Sequence, residues 1–172
     1  MASRAVFFDR DGTLNVEVHF LHRVEDFAWT EGAVEAVRYC NANGYLAIVV
    51  SNQSGVARGY FPEEDVRVLH RWMNEDLARR GAHIDAFYYC PHYEQGSVAR
   101  YAVKCDCRKP ATGMIDRACN DYDIDRAGSI MVGDKESDRE CAKNAGLCGI
   151  RYDGGSLLRL VQDAMEQSKQ MS

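Results

Sequence analysis

Five short apolar-rich runs alternate along the chain with stretches whose apolar residues recur at helical spacing. The first run, Ala5-Val6-Phe7-Phe8, stops abruptly at Asp9, and Asp11-Gly12 then signals a turn. Ala33, Val34, Val37 and Cys40 mark the buried face of a helix over Gly32–Asn43, with Gly44 placed to end it. Leu46–Val50 is a second run, ending in Ser51-Asn52-Gln53. Pro62 suits the first turn of a helix whose inner face is Val66, Leu69, Met73 and Leu77, up to Gly81. Ile84–Tyr89 predicts a third strand. The stretch from Cys90 to Pro110 shows no period. A helix over Thr112–Tyr122, a strand over Ser129–Val132, a helix over Glu136–Asn144, a strand over Leu147–Ile150 and a closing amphipathic helix follow.

Strands this apolar, alternating with helices, predict a parallel sheet buried on both faces: an α/β, Rossmann-like three-layer fold. The chain shows no repeat, low-complexity segment or linker, so one domain over residues 1–172 is expected, with an irregular loop at 90–110. Its 172 residues can bury one core; 46% hydrophobic and 27% charged residues are the balance of a globular protein. A net charge of −5 argues against a nucleic-acid partner. It leaves room for an anionic ligand, because a metal and a few local cations reverse the field inside a pocket. No run approaches the length of a membrane span, and Met1–Arg4 leads directly into the first strand. The expectation is a cytoplasmic monomer without membrane or nucleic-acid partners. Seven cysteines cannot all pair within one chain, so reduced thiols or metal ligands are expected. Cys40, Cys119, Cys141 and Cys148 sit in helix- or strand-like surroundings and read as small core residues.

In a parallel sheet, ligands bind beyond the carboxyl ends of the strands. Asp9, Asp11, Ser51 and Asp134 all fall there. Any one of them has an alternative reading as a helix N-cap; four together with a cation from the loop point to chemistry. A carboxylate attacks phosphorus only when the phosphate charge is offset, which calls for Mg²⁺ and fixed donors. Asp9 and Asp134 can offer metal-binding oxygens from neighbouring strands. A second aspartate is then free to protonate the departing alkoxide and later to activate water.

Asp9-Arg10-Asp11-Gly12-Thr13, Ser51, Lys109, and Gly133-Asp134 with Asp138 resemble, in order and placement, the four motifs of the haloacid dehalogenase superfamily. The resemblance implies Asp9 as nucleophile, Asp11 as general acid/base, and Ser51 and Lys109 as stabilisers of the transferring phosphoryl group. It implies Mg²⁺ on Asp9, the Asp11 backbone carbonyl and Asp134, with Asp138 orienting the metal's shell through waters. The gaps between motifs leave no room for a cap domain. A receiver-type signalling domain is the non-enzyme alternative, but it would carry its acceptor aspartate at the end of a middle strand, and neither Leu46–Val50 nor Ile84–Tyr89 ends in one.

Cys90-Pro91-His92 and Cys105-Asp106-Cys107 are two short ligand pairs, and three thiolates with an imidazole form a closed tetrahedral zinc set. The alternative is three incidental cysteines in a loop; against it, an irregular stretch of this length in a compact domain needs something to hold it. A structural Zn²⁺ would fix the backbone beside Arg108-Lys109-Pro110. With Ser51–Gly59 and Gly133-Asp134-Lys135, this arrangement resembles the heptose bisphosphate phosphatases; histidinol-phosphate phosphatases share the zinc loop. The resemblance implies a small phosphorylated sugar as substrate, the 7-phosphate of D-glycero-D-manno-heptose 1,7-bisphosphate. It places Glu17, Val18, His19, Phe20, Asn52, Gln53, Ser54, Arg108 and Lys135 around that substrate, in loops after Asn15, around Arg58, and at the zinc site. His19 stands where those enzymes carry glycine, and loop histidines such as His19 and His22 are as readily solvated. Arg108 and Lys135 exceed what one monoester needs; a second anionic group would explain them, as would surface ion pairs with Glu136 or Asp138.

Overall fold

The computed structural model describes residues 1–171. Its frame is a five-stranded sheet in the order β3-β2-β1-β4-β5, with every neighbouring pair parallel. The strands are β1 (Ala5–Phe8), β2 (Leu46–Asn52), β3 (Ala86–Cys90), β4 (Ile130–Gly133) and β5 (Cys148–Arg151). The helices are α1 (Ala33–Ala42), α2 (Glu63–Arg79), α3 (Gly113–Asp121), α4 (Glu136–Ala145) and α5 (Leu157–Gln170).

The pleat of β1 sends Val6 and Phe8 to one face and Ala5 and Phe7 to the other, all fully buried. On the first face they join Val34 and Val37 of α1, Leu69, Met73 and Leu77 of α2, and Val161 and Met165 of α5. On the second they join Met114, Ile115 and Ala118 of α3 and Cys141, Ala142 and Ala145 of α4. Helix, sheet and helix make the three layers that the alternating pattern predicts, without a cap.

Helix ends follow local chemistry. Pro62 is the N-cap of α2 rather than a residue of its first turn, and Glu63, Glu64 and Asp65 place acid at the positive end of its dipole. Gly44, at φ 75°, stands just past the Asn43 C-cap of α1. The Ser156 hydroxyl accepts from the Arg159 N–H at 3.3 Å and caps α5. From Pro91 to Thr112 the chain holds no helix or strand, as the missing period predicts. One core expectation fails: Cys148 is exposed, because β5 lies at the sheet edge.

From β1 the chain builds outward through β2 to β3, then returns to the other side of β1 for β4 and β5. The carboxyl end of β1 is therefore the point where strand order reverses, the crevice that open α/β sheets offer to ligands.

Candidate active site

Asp9 is the first residue past β1. Its N–H donates to the Val132 carbonyl at 2.9 Å, which fixes the strand end against β4. The residue is 5% exposed, and its carboxylate accepts from Lys109 Nζ at 2.7 Å. The same ammonium donates to Asp138 Oδ1 at 2.7 Å and to the Val50 carbonyl at 2.9 Å. All three of its protons are thus placed. Burial raises the Asp9 carboxyl from 3.8 to about 6; Lys109 opposes that rise, and Asp134 and Asp11 add to it. Burial alone would lower Lys109, but Asp9 and Asp138 outweigh it and hold the ammonium charged. Asp138 is itself raised by its burial, against the pull of Lys109.

Oxygens of Asp9, Asp134 and Asp138 lie within 4.8 Å of one another, and buried Asp134 Oδ1 has no hydrogen-bond partner. An orphaned carboxylate oxygen facing two further carboxylates is a hard-oxygen donor set of the kind Mg²⁺ takes. The Asp138 carboxylate stands in the same cluster, its oxygens accepting from Lys109 Nζ and from the Lys135 N–H. Two glycines make the approach possible. A Cβ on Gly12, whose φ is 82°, would collide with the Asp134 carboxylate, and one on Gly133 would collide with Asp138.

Asp11 lies on the other side of Asp9. Its Oδ1 accepts from Arg10 Nε and Nη2, both at 3.1 Å, and from Asn15 Nδ2 at 3.0 Å. Its Oδ2 accepts from Arg10 Nη2 at 3.1 Å and Gln53 Nε2 at 3.0 Å. Gln53 also donates to buried Ser51 Oγ at 2.7 Å, and so bridges Ser51 and Asp11. Asn52 clamps the Lys109 backbone: its Oδ1 accepts from Lys109 N–H at 2.9 Å and its Nδ2 donates to the Lys109 carbonyl at 3.2 Å.

Of these groups Asp11, Asn52, Gln53 and Lys109 open into a cavity of about 360 Å³. Glu17, Val18, His19 and Phe20 line one side, Asn52, Gln53 and Ser54 the floor, and Arg108, Lys109 and Lys135 the rest. Gly55 and Ser137 also line it and were not singled out from sequence. Glu17 is largely exposed by surface area, yet partial burial and then Asp11 raise its carboxyl, against Lys135. Arg108 Nη1 is buried without a partner. Among the described residues neither Arg108 nor Lys135 pairs with a carboxylate within 4.0 Å; Asp138 instead accepts from the Lys135 backbone N–H at 3.1 Å. A larger depression of about 550 Å³ on the outer face of α4 contains none of the strand-end groups.

Arg108 is shelved on aromatic rings. Its guanidinium carbon is 5.2 Å from the Tyr93 ring centre, Arg58 faces Tyr93 at 4.1 Å, and Arg58 in turn lies 5.4 Å from the Phe20 ring. Phe20 adopts φ 53°, uncommon for a side chain of its size, and packs edge-on against Tyr60 at 4.7 Å. This row ties together the loop after Asn15, the loop around Arg58 and the 90–110 loop.

Cys90, His92, Cys105 and Cys107 converge. Cys90 Sγ lies 3.6 Å from Cys105 Sγ, 3.0 Å from Cys107 Sγ and 3.6 Å from His92 Nδ1, and Cys107 Sγ lies 3.4 Å from His92 Nδ1. Tetrahedral zinc with Zn–S of about 2.3 Å and Zn–N of about 2.0 Å implies edges of roughly 3.8 Å and 3.5 Å. Most of these spacings match, and no pair is disulfide-bonded. The Cys90 hydrogen bond drives the Cys107 thiol down to about 5, while Cys90 is pushed up by the same neighbour. The donor set fits zinc, with no ligand left over for an open position. Cys90 ends β3 in register with Asn52, and its carbonyl accepts from the Gln53 N–H at 2.7 Å. The cluster is therefore joined directly to the cavity floor.

Comparison with known proteins gives the family. The HAD-hydrolase-like family model matches residues 106–168. The D-glycero-beta-D-manno-heptose-1,7-bisphosphate 7-phosphatase of Rhodopseudomonas palustris is 45% identical over 150 residues, covering 87% of this chain and 83% of that one. The enzyme of the same name from Escherichia coli K12 is 45% identical over 138 residues, covering 80% and 72%. Among solved structures, a D,D-heptose 1,7-bisphosphate phosphatase from B. bronchiseptica, complexed with magnesium and phosphate, superposes with a TM-score of 0.80 at 25% identity, covering 95% of this chain and 99% of that one. With that degree of identity over most of both chains, the protein is a phosphatase of the haloacid dehalogenase-like superfamily and belongs to the family of these heptose bisphosphate phosphatases.

Proposed function

We propose that the protein removes the 7-phosphate of D-glycero-D-manno-heptose 1,7-bisphosphate through an aspartyl-phosphate on Asp9. The carrying observation is the buried Asp9 carboxylate, fixed by Lys109 at 2.7 Å and set beside the unpartnered oxygen of Asp134. Mg²⁺, held by Asp9, Asp134 and the Asp11 backbone carbonyl with Asp138 orienting its shell, would offset phosphate charge when bound. An Asp9 oxygen forms the bond to phosphorus as the bond from phosphorus to the sugar oxygen breaks, and Asp11 delivers a proton to that oxygen. Asp11 then takes a proton from water as the water attacks phosphorus, the bond to Asp9 breaks, and inorganic phosphate leaves. Lys109 and Ser51 hold the phosphoryl oxygens during both steps.

The substrate assignment rests on the family and on the two cations of the cavity rim. Arg108 Nη1 is buried with nothing to bond, and Lys135 has no carboxylate partner within 4.0 Å among the described residues. A distal phosphate supplies what both lack. Glu17, at the mouth beside them, offers an acceptor to sugar hydroxyls.

The test compares heptose 1,7-bisphosphate with histidinol phosphate on wild type and Arg108→Ala. A charge-assisted hydrogen bond is worth roughly 1.5–3 kcal/mol, or about 10- to 150-fold at ~1.4 kcal/mol per decade. The bisphosphate should lead in kcat/KM by that order, and Arg108→Ala should erase most of the lead while sparing an aryl phosphate. A better rate on histidinol phosphate, or equal losses on every substrate, would refute the bisphosphate assignment.

A further inference from the structure

Arg10 is the largest fully buried side chain in the protein, lying between two motif aspartates. A buried guanidinium needs acceptors for its five protons. Asp11 takes three of its contacts, the Leu21 carbonyl accepts from Nη2 at 3.0 Å, and Gln53 Oε1 accepts from Nη2 at 3.3 Å. Nη1 points the other way, to His70 Nε2 at 3.2 Å. Arginine only donates, so His70 Nε2 must be the unprotonated ring nitrogen. His70 belongs to α2, is 4% exposed, and stacks on Phe87 of β3 with ring centres 4.6 Å apart. Burial and then the Arg10 charge hold its pKa well below the usual value, in keeping with an accepting, neutral ring.

The Asp11 carboxylate therefore receives donors on both oxygens, and its orientation is set chiefly by one planar fork. That fork is held at its far end by a buried ring that lies flat against Phe87. Nothing in the chemistry assigned above uses His70.

We propose that His70 and Arg10 form the positioning pair for the general acid/base: His70 orients the Arg10 guanidinium, and Arg10 aims the Asp11 carboxylate. The inference rests on the proposed role of Asp11. Neither residue touches substrate; both act through Asp11.

Two His70 variants separate this from a packing role. His70→Leu fills the space but removes the acceptor, whereas His70→Gln carries an amide oxygen to a similar reach. The measurements are kcat and KM on an alkyl phosphate and on p-nitrophenyl phosphate, whose leaving group needs no proton, with thermal melts alongside. His70→Leu should lower kcat on the alkyl phosphate by roughly 10-fold or more at little change in KM, since misplacing a reacting group by about 1 Å costs up to ~100-fold. In kcat/KM, which reports only the steps up to leaving-group release, the loss on the aryl phosphate should be smaller, and His70→Gln should recover most of the rate. In the Asp11→Asn background His70→Leu should cause no further loss, because residues acting through one another are not additive. Wild-type rates in His70→Leu, equal losses in kcat/KM on both phosphates, or full additivity with Asp11→Asn would overturn the pair. If His70→Leu does not fold, Arg10→Lys decides: it keeps the charge, cannot grip both oxygens, and should show the same leaving-group dependence. Wild-type activity of Asp11→Asn alone would instead remove the acid/base role itself, a separate failure.

Discussion

Replacing Asp9 by asparagine should stop turnover and stabilise the magnesium-free protein at the same time. The amide keeps the shape and an oxygen for Lys109, yet it cannot act as the nucleophile. The wild-type carboxyl rises from 3.8 to about 6 because burial disfavours its charged form. A raised folded-state pKa means that the folded protein holds the proton more tightly than the unfolded chain. Stability from this group is therefore present at low pH and is lost as pH climbs from about 4 through about 6. The rise of about 2 pKa units, at ~1.4 kcal/mol each, makes the cost above that window roughly 3 kcal/mol. Asparagine does not titrate and escapes it. At about 2–4 °C per kcal/mol for a chain of this size, Asp9→Asn should melt some 6–12 °C above wild type near pH 8 in magnesium-free buffer. Near pH 4 the two should melt together, and added Mg²⁺ should raise wild type more than the mutant. The assay is a pair of melts across pH, beside steady-state hydrolysis. A wild type as stable as the mutant at pH 8, or a gap that widens toward acid, would refute the reasoning, and wild-type turnover by Asp9→Asn would remove the covalent mechanism.

Freshly prepared protein should carry about one zinc per chain by elemental analysis, and Cys107→Ser should lower both its zinc content and kcat, since Cys107 lies two residues from Lys109; normal activity without zinc would uncouple the loop from the site. Gly12→Ala should lose about 1–2 kcal/mol of stability to its left-handed backbone and about 100-fold in kcat from a displaced Asp134, read by a melt and by the magnesium concentration needed for half-maximal rate.

Much of the layout was legible because it is local. Apolar runs that stop at Asp9, at Ser51 and just before Asp134 state both where the strands end and what they deliver, and the five strands stand within about two residues of where the pattern puts them. Ligand pairs such as Cys105 and Cys107 likewise announce themselves by spacing. What depends on three-dimensional neighbours was hidden. Asp138 reads as part of a motif, but its bond to Lys109 joins residues 29 apart, and Arg10 reads as a spacer between two aspartates. The edge position of Cys148 follows from strand order, which no single run encodes. His70 did leave a trace: it sits four residues after Val66 and three before Met73 on the apolar face of α2, a polar residue at a core position.

The row from Phe20 through Arg58 and Tyr93 to Arg108 gathers its members from three loops far apart in sequence. The rim of the cavity is consequently one composite part with three suppliers. Transplanting a single loop from a relative of different specificity would deliver a ring without its guanidinium, or a guanidinium without its ring, and would break the Phe20–Arg58–Tyr93 contacts that back Arg108. Substrate range in this architecture should therefore shift by coordinated changes in all three loops, with intermediates that bind poorly to old and new substrates alike.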